Sequence, residues 1–291
     1  MPDLVSVVVG SYPHTAKLKA EPGFAGLTAT FPEISPVHDA FDDMVRTQKW
    51  DVCEMAIGAF LQAHEAGKPL LLLPAVMVGG FHYKSIYVAP DSDPGSPADL
   101  TGKRIGVRSY SQTTGLWVRG WLSSDYGVTP GSVTWVTTEG SHSAEYHDPA
   151  NVVRTDNSLP DGLRNGQISA AILGSGAPAD LKPLIADWES QSRGWYARHQ
   201  TVPINHMVTV TRDLAEHRPD VLHAVYQSMA NGIAEAARTA AADPAALPSA
   251  IRYGLGNVRD AVRLAADYAL EQGLISAPVG DIDSLFAIKD D

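Results

Sequence analysis

Apolar residues recur along this chain at two spacings, and each spacing predicts a different kind of element. Short, nearly continuous apolar runs are typical of buried strands, and they occur at residues 4–9, 51–55, 70–76, 85–89, 133–136, 168–173 and 203–210. Apolar residues at helical spacing predict helices around residues 41–45, 58–66, 159–165, 221–238 and 257–272. Because strands and helices alternate over most of the chain, we expect an α/β fold with parallel sheets.

The same pattern predicts two lobes. At 291 residues the chain is longer than one typical domain, and two lobes of roughly 100 to 150 residues are expected. A stretch rich in Pro, Asp and Ser at residues 91–97 predicts the first crossing between lobes, and residues 195–202 predict the return. We therefore assign residues 1–88 and 203–291 to lobe one, where the C-terminal helices should pack, and residues 89–202 to lobe two.

A polar junction stands out between a strand predicted at residues 104–107 and the helix that contains residues 116–122. Its hydroxyls and amide belong to Ser109, Ser111, Gln112, Thr113 and Thr114. A helix start offers unpaired backbone N–H groups and the positive end of the dipole, which together suit a small carboxylate or phosphate. The alternative is that these side chains only cap the helix.

Other candidates lie where predicted strands end, because ligands of open α/β sheets bind outside the carboxyl ends of the strands. Glu54 and Met55 end one such strand, and Gly174 and Ser175 follow another. These positions point to a ligand site at the sheet edges.

Composition and charge restrict the partners. Apolar residues make up 44% of the chain and charged residues 19%, as in an ordinary soluble protein. The formal charge of −11 argues against nucleic acid or an anionic membrane as a partner. The first residues lack the basic region of a signal peptide, and no stretch reaches the length of a membrane span, so we expect a cytoplasmic protein.

Cysteine and histidine spacing offers no cofactor site. The single cysteine, Cys53, cannot form an intramolecular disulfide and is expected to be a buried thiol. The histidines do not follow any closed metal-binding spacing. Residues 142–148 could ligate a metal, but a solvated loop is the favoured interpretation, so we predict neither a metal nor another cofactor.

Five segments together resemble the 4,5-dihydroxyphthalate decarboxylase family. They are DVCEMAIGAFLQAHEAGKPLLLLP, FHYKSIYV, DLTGKRIGVRSYSQTTGLWVRGWLSSDYGV, LRNGQISAAIL and VPINHMVTV. The resemblance implies a type II periplasmic-binding-protein-like fold, with two α/β lobes joined by two crossing hinge strands and a ligand cleft between the lobes. It also implies a cytoplasmic carboxy-lyase that acts on an aromatic carboxylate. The chain departs from the family at Pro13 and His14, where the family has an Asp-Arg pair, and at His82 and Tyr83, where it has an Arg-His pair.

Decarboxylation of a hydroxylated aromatic acid requires a proton donor for the ring carbon that bears the carboxylate. His206 is the first candidate, since histidine titrates near neutrality; the alternative is a core histidine bonded to backbone. Glu54 lies in an apolar strand and is the second catalytic candidate, as an acid or base. Its alternative role is a structural pair with Arg119.

The predicted substrate-binding set extends over both lobes. Arg108 could clamp a carboxylate or be a solvated arginine, and Thr113 and Thr114 could donate to a second carboxylate oxygen. Tyr110 and Phe81 could stack on a ring or serve in packing. The remaining predicted contacts are Tyr12, His14, His82, Gln112 and Ser175.

The sequence thus favours a cofactor-independent decarboxylase of a hydroxylated aromatic or heteroaromatic acid. The ligand is expected to be a small aromatic or otherwise anionic carboxylate, and a homo-oligomer stays open. Two other functions also stay open: a non-catalytic solute-binding protein, and a lyase or hydrolase of another kind on the same scaffold.

Overall fold

A computed structural model of the chain describes residues 4–21, 23–24, 27–92, 95–141, 143, 145–239 and 246–289. The strands are β1 Leu4–Val8, β2 Gly23–Phe24, β3 Leu27–Thr30, β4 Val52–Ala56, β5 Leu70–Gly79, β6 Ile86–Val88, β7 Arg104–Val107, β8 Thr134–Thr137, β9 Val152–Arg154, β10 Ala170–Ile172, β11 Lys182–Pro183 and β12 Ile204–Thr211. The helices are α1 Ala16–Ala20, α2 Phe41–Thr47, α3 Ile57–Glu65, α4 Thr113–Tyr126, α5 Leu159–Arg164, α6 Trp188–His199, α7 Arg212–His217, α8 Pro219–Thr239 and α9 Leu255–Glu271.

The first of two compact units contains Met1–Gly80, Ile204–Leu264 and Val279–Asp291. Its sheet has the order β2-β3-β1-β4-β12-β5. β1 runs parallel to β3 and β4, while β12 runs antiparallel to both β4 and β5, so the sheet is mixed. Buried aliphatic side chains of the central strands pack against Val221, Val225 and Met229 of α8. Strands β4 and β12 of this sheet carry Glu54 and His206.

The second unit contains Phe81–Pro203 and Ala265–Pro278. Its sheet has the order β11-β6-β10-β7-β8-β9, with β10, β7, β8 and β9 parallel and β6 antiparallel to β10. The predicted strand at residues 104–107 is confirmed, and α4 follows it and ends at Gly127, whose φ of 69° favours glycine. The strand-to-helix junction is therefore as the sequence predicts.

The structure corrects the predicted boundaries between the units. Strand β6 pairs with β10 and β11, so residues 81–88 belong to the second unit and not to lobe one. Residues 195–202 were expected to be the return crossing, but most of them lie in α6. Ala265–Pro278, which includes the end of α9, also belongs to the second unit. Short paired strands such as β9 carry too few residues to show a period in the sequence.

Over the residues described here, no helix combines the length and the apolar character that crossing a membrane requires.

Candidate functional site

A buried carboxylate and a partly exposed imidazole meet on one face of the first sheet. In the antiparallel ladder of β4 and β12, Glu54 lies opposite Val208, and Ala56 lies opposite His206. Residues two apart on a strand share a face, so Glu54 and His206 are diagonal neighbours. His206 Nδ1 lies 2.7 Å from Glu54 Oε1. The two predicted catalytic residues are thus in direct contact.

Glu54 is fully buried, and three donors satisfy its carboxylate. Besides His206, the Tyr12 hydroxyl donates to Oε1 at 2.9 Å, and the Gly10 backbone N–H donates to Oε2 at 2.8 Å. Hydrogen bonds of this kind compensate the cost of burying a charge. Burial, followed by the charge of Glu54 and the bond to it, raises the pKa of Tyr12, so its hydroxyl stays a donor at neutral pH.

The loop that carries Tyr12 is fixed by short-range contacts. The Thr15 hydroxyl donates to the Gly10 carbonyl at 2.7 Å and accepts the Tyr12 backbone N–H at 2.9 Å. A Cβ at position 10 would lie 2.4 Å from the Tyr12 ring, well inside van der Waals contact. Gly10 therefore permits the close approach that brings the Tyr12 hydroxyl to Glu54.

The second ring nitrogen of His206, Nε2, is not used in the contact with Glu54. A carboxylate only accepts hydrogen bonds, so the proton between the two residues is on Nδ1. The His206 side chain is 22% exposed, and the Phe41 ring contacts it edge-on with the centroids 5.4 Å apart. Nε2 is then the nitrogen that can exchange a proton with a ligand.

His14 also belongs to this cluster. Its ring is stacked on Tyr12, with centroids 5.0 Å apart and an angle of 10° between the planes. The residue is only 7% exposed, and its Nε2 is buried without a hydrogen-bond partner in the structure. Burial lowers the pKa of His14, against the opposing effects of the Glu54 charge and a hydrogen bond with the Met77 backbone.

The other predicted contacts belong to the second unit. The Phe81 ring packs edge-on against Trp195 and Tyr196, which favours the packing role for Phe81. His82 Nδ1 lies 3.4 Å from the Ser85 hydroxyl. Ser175 lies in the 3-10 turn Gly174–Gly176, and its side chain is outside those that the structure describes.

Tyr110 is buried in the core of the second unit, which favours the packing role over stacking on a ligand. It is 1% exposed, and its hydroxyl donates to the Gln272 carbonyl at 3.0 Å. The Arg119 guanidinium covers the ring at 4.0 Å from the centroid. Substrate binding by Tyr110 stays a prediction.

Arg119 is fully buried and stabilises the polar junction of the second unit. It donates to Gln272 Oε1 and to the Tyr110 carbonyl, both at 2.7 Å. Gln272 in turn donates to the Leu116 carbonyl at 2.8 Å. The alternative in which Arg119 pairs with Glu54 is therefore wrong. Sequence analysis missed Gln272, since a glutamine near a helix end has no distinguishing pattern.

The remaining junction residues keep their predicted places at the start of α4. Gln112 is the N-cap residue but makes no side-chain cap bond, while Thr113 and Thr114 begin the helix. Ser109 donates to the Gly140 carbonyl at 2.7 Å, and Arg108 pairs with Glu139 at 3.6 Å. Ligand binding by Arg108, Gln112, Thr113 and Thr114 stays a prediction.

Among the side chains in the described ranges, no group of three or more His, Cys, Asp and Glu residues is arranged to hold a metal ion. His142, which belongs to the segment considered as a metal ligand, lies outside these ranges.

Comparison with known proteins relates the chain to decarboxylases and to a family of substrate-binding proteins. The model of a family described as "ABC transporter, phosphonate, periplasmic substrate-binding protein" matches residues 32–246. A 4,5-dihydroxyphthalate decarboxylase of Comamonas testosteroni is 30% identical over 239 residues, which cover 74% of this chain and 70% of the relative. A second 4,5-dihydroxyphthalate decarboxylase, from Pseudomonas putida, is 28% identical over 210 residues, which cover 66% of this chain and 81% of the relative.

Comparison with solved structures shows the fold. The periplasmic aliphatic sulphonate binding protein of Escherichia coli superposes with a TM-score of 0.58 at 15% identity, covering 98% of both chains. Two mixed α/β sheets in two lobes are thus shared with the periplasmic sulfonate-binding proteins, which confirms the predicted fold class.

Proposed function

The chain belongs to the 4,5-dihydroxyphthalate decarboxylase family and to the wider family of phosphonate-type periplasmic substrate-binding proteins, and we infer from this membership that it decarboxylates a hydroxylated aromatic or heteroaromatic carboxylic acid. The observation that supports this function best is the contact between His206 and the buried Glu54. A histidine held by a carboxylate can transfer a proton while its second nitrogen faces a reactant.

The proposed reaction begins with proton transfer from the imidazolium of His206. Nε2 donates its proton to the ring carbon that bears the carboxylate, and that carbon becomes tetrahedral. The bond to the carboxylate then breaks, its electron pair returns to the ring, and CO2 leaves. His206 regains a proton from water, so one proton is consumed for each carboxylate released.

Glu54 supports this cycle without exchanging the proton itself. Its negative charge lies 2.7 Å from Nδ1 and compensates the positive charge of the imidazolium. Tyr12 and Gly10 hold the two carboxylate oxygens in place. The imidazole is therefore oriented before a substrate binds, which lowers the reorganisation needed in the reaction.

A panel of acids tests this function directly. The protein is incubated with 4,5-dihydroxyphthalate, with mono- and dihydroxylated benzoates and with hydroxylated heteroaromatic acids, and CO2 release is measured for each. We expect release from at least one hydroxylated acid and none from benzoate, which is added as the control because its unsubstituted ring does not accept a proton readily. Absence of release across the panel would contradict the proposal.

The match to periplasmic substrate-binding proteins favours a second candidate function, a non-catalytic binder of a small anionic ligand. Calorimetry with the same panel separates the two functions. Tight binding of an acid that is not consumed would favour the binder over the decarboxylase.

A further inference from the structure

An unsatisfied ring nitrogen lies next to the proposed catalytic pair. His14 is only 7% exposed, and its Nε2 is buried without a hydrogen-bond partner. Buried polar atoms are nearly always hydrogen-bonded, and one left without a partner is destabilising. Such an atom beside a reactive cluster indicates a place for a ligand group.

The contacts of His14 define which nitrogen carries its proton. The imidazole makes a hydrogen bond with the Met77 backbone, and this bond favours the protonated ring, so the ring is the donor. Since Nε2 has no partner, the donor is Nδ1. Burial lowers the pKa of His14, which keeps the ring neutral near pH 7. Nε2 therefore holds an unshared electron pair.

His14 is packed against neighbours on two sides. The Tyr12 ring is stacked on the imidazole, and the Tyr12 hydroxyl is bonded to the same Glu54 oxygen that holds His206. On the other side, helix α8 contacts the turn Pro13–Thr15, and a Cβ at Gly232 would lie 2.3 Å from the His14 carbonyl oxygen. A glycine in the helix allows this close approach.

We propose that His14 Nε2 is the base that accepts the proton of a ring hydroxyl of the substrate, so that this protein acts on phenolic acids through two histidines with opposite roles. The inference rests on the proposed function and names the substrate group that His14 recognises. The half-buried Tyr12 ring is stacked on the imidazole.

The step balances within one turnover. The hydroxyl O–H bond breaks, its proton goes to His14 Nε2, and the oxygen keeps the electron pair as a phenolate. The phenolate raises the electron density of the ring, which then accepts a proton from His206 and releases CO2. His14 returns its proton to the oxygen, so it contributes no net proton.

Two environments favour these opposite roles. His206 donates from Nδ1 to a buried carboxylate 2.7 Å away, which leaves Nε2 as the nitrogen that can face the substrate. His14 is buried against an aromatic ring, with Tyr12 and Glu54 as the titratable groups that act on it. Pairs of titratable groups in contrasting environments are a general sign of acid and base assignments.

The test separates ionisation from decarboxylation. Ultraviolet difference spectra of 3,4-dihydroxybenzoate and 4,5-dihydroxyphthalate are recorded with the wild type, with His14→Gln and with His206→Gln, since a phenolate absorbs at longer wavelength than the phenol. His64→Gln is the matched control, because His64 is another histidine of the first unit whose pKa is lowered by burial. Thermal melting checks that every variant is folded.

We expect a phenolate band with the wild type, with His206→Gln and with His64→Gln, and its loss with His14→Gln. CO2 release by His14→Gln should fall by about 100-fold or more, the usual effect of losing a general base. A phenolate band in the His14→Gln complex, or none with the wild type, would overturn the role of His14. A band that depends on His14 without any CO2 release would retain this role and contradict the decarboxylase.

Discussion

His206 Nδ1 lies 2.7 Å from Oε1 of Glu54, a carboxylate that is completely buried between two antiparallel strands. The two residues are 152 positions apart in the chain. Their contact follows from the register of β4 and β12, in which Glu54 and Val208 are opposite each other. The sheet itself therefore orients the imidazole. Mutations around this pair should distinguish residues that orient His206 from the residue that transfers the proton.

Replacement of Glu54 by glutamine removes the charge but nearly preserves the shape of the side chain. We expect Glu54→Gln to lower the rate of CO2 release by about 100-fold, because the imidazolium of His206 loses its compensating charge. The measurement is the steady-state rate with an acid that the wild type consumes. Glu216→Gln, which removes a surface charge of the same unit, should retain full activity; equal rates for both variants would refute the role of Glu54.

Loss of the Tyr12 hydroxyl should destabilise the protein. In Tyr12→Phe, Glu54 Oε1 keeps His206 but loses a donor at 2.9 Å. Hydrogen bonds to charged groups contribute about 1.5 to 3 kcal/mol, so the free energy of unfolding should fall by that amount. Urea denaturation measures it, with Tyr253→Phe at an exposed position as the control. An unchanged midpoint would show that this bond does not stabilise the fold.

Gly10→Ala tests the close approach between residues 10 and 12. The added methyl group would lie 2.4 Å from the Tyr12 ring, which must then move away from Glu54. We expect a loss of about 1 to 3 kcal/mol of stability together with reduced activity. Gly131→Ala is the control, since a methyl group there contacts nothing within 4 Å. If a crystal structure of Gly10→Ala retained the bond between Tyr12 and Glu54, the packing argument would fail.

The buried arginine of the second unit should not tolerate lysine. Arg119 directs separate nitrogens to Gln272 Oε1 and the Tyr110 carbonyl and stacks on the Tyr110 ring. Lysine lacks the planar fork, so Arg119→Lys should cost about 2 to 4 kcal/mol in the free energy of unfolding. Arg46→Lys, in a surface pair, should change it by less than about 0.5 kcal/mol. Equal stability of the two variants would contradict this account of Arg119.

His14 should make stability depend on pH. Its pKa is lowered in the folded state from a usual value of 6.5, so the unfolded chain binds more protons as the pH falls. The contribution of His14 is therefore present above pH 6.5 and is lost as the pH falls through the folded pKa. Urea denaturation at pH 7.5 and 5.5 should show a smaller loss of stability for His14→Gln than for the wild type; parallel losses would show that the imidazole is not preferentially neutral in the fold.

The sequence alone predicts Glu54 and His206 as candidates, and the structure brings them into contact, but most of their surroundings could not be predicted. Glu54 ends an apolar strand and His206 begins another, and both signals are local. The sequence left Tyr110 open between stacking on a ligand and packing, because its hydrogen-bond partner, the Gln272 carbonyl, is 162 residues away. The hydrophobic periodicity of the sequence does not reveal contacts between residues so far apart in the chain. The role of Gly10 is likewise invisible in sequence, since it depends on the distance between a backbone position and a ring.

The proposed decarboxylation requires His206 to donate a proton to the ring carbon. The decisive measurement is the rate of CO2 release by His206→Gln relative to the wild type, with His223→Gln, an exposed histidine of the same unit, as the control. We predict a loss of about 100-fold or more in a variant that still melts as a folded protein, and full activity for the control. A rate for His206→Gln within about ten-fold of the wild type, well short of the usual loss of a general acid, would contradict the account.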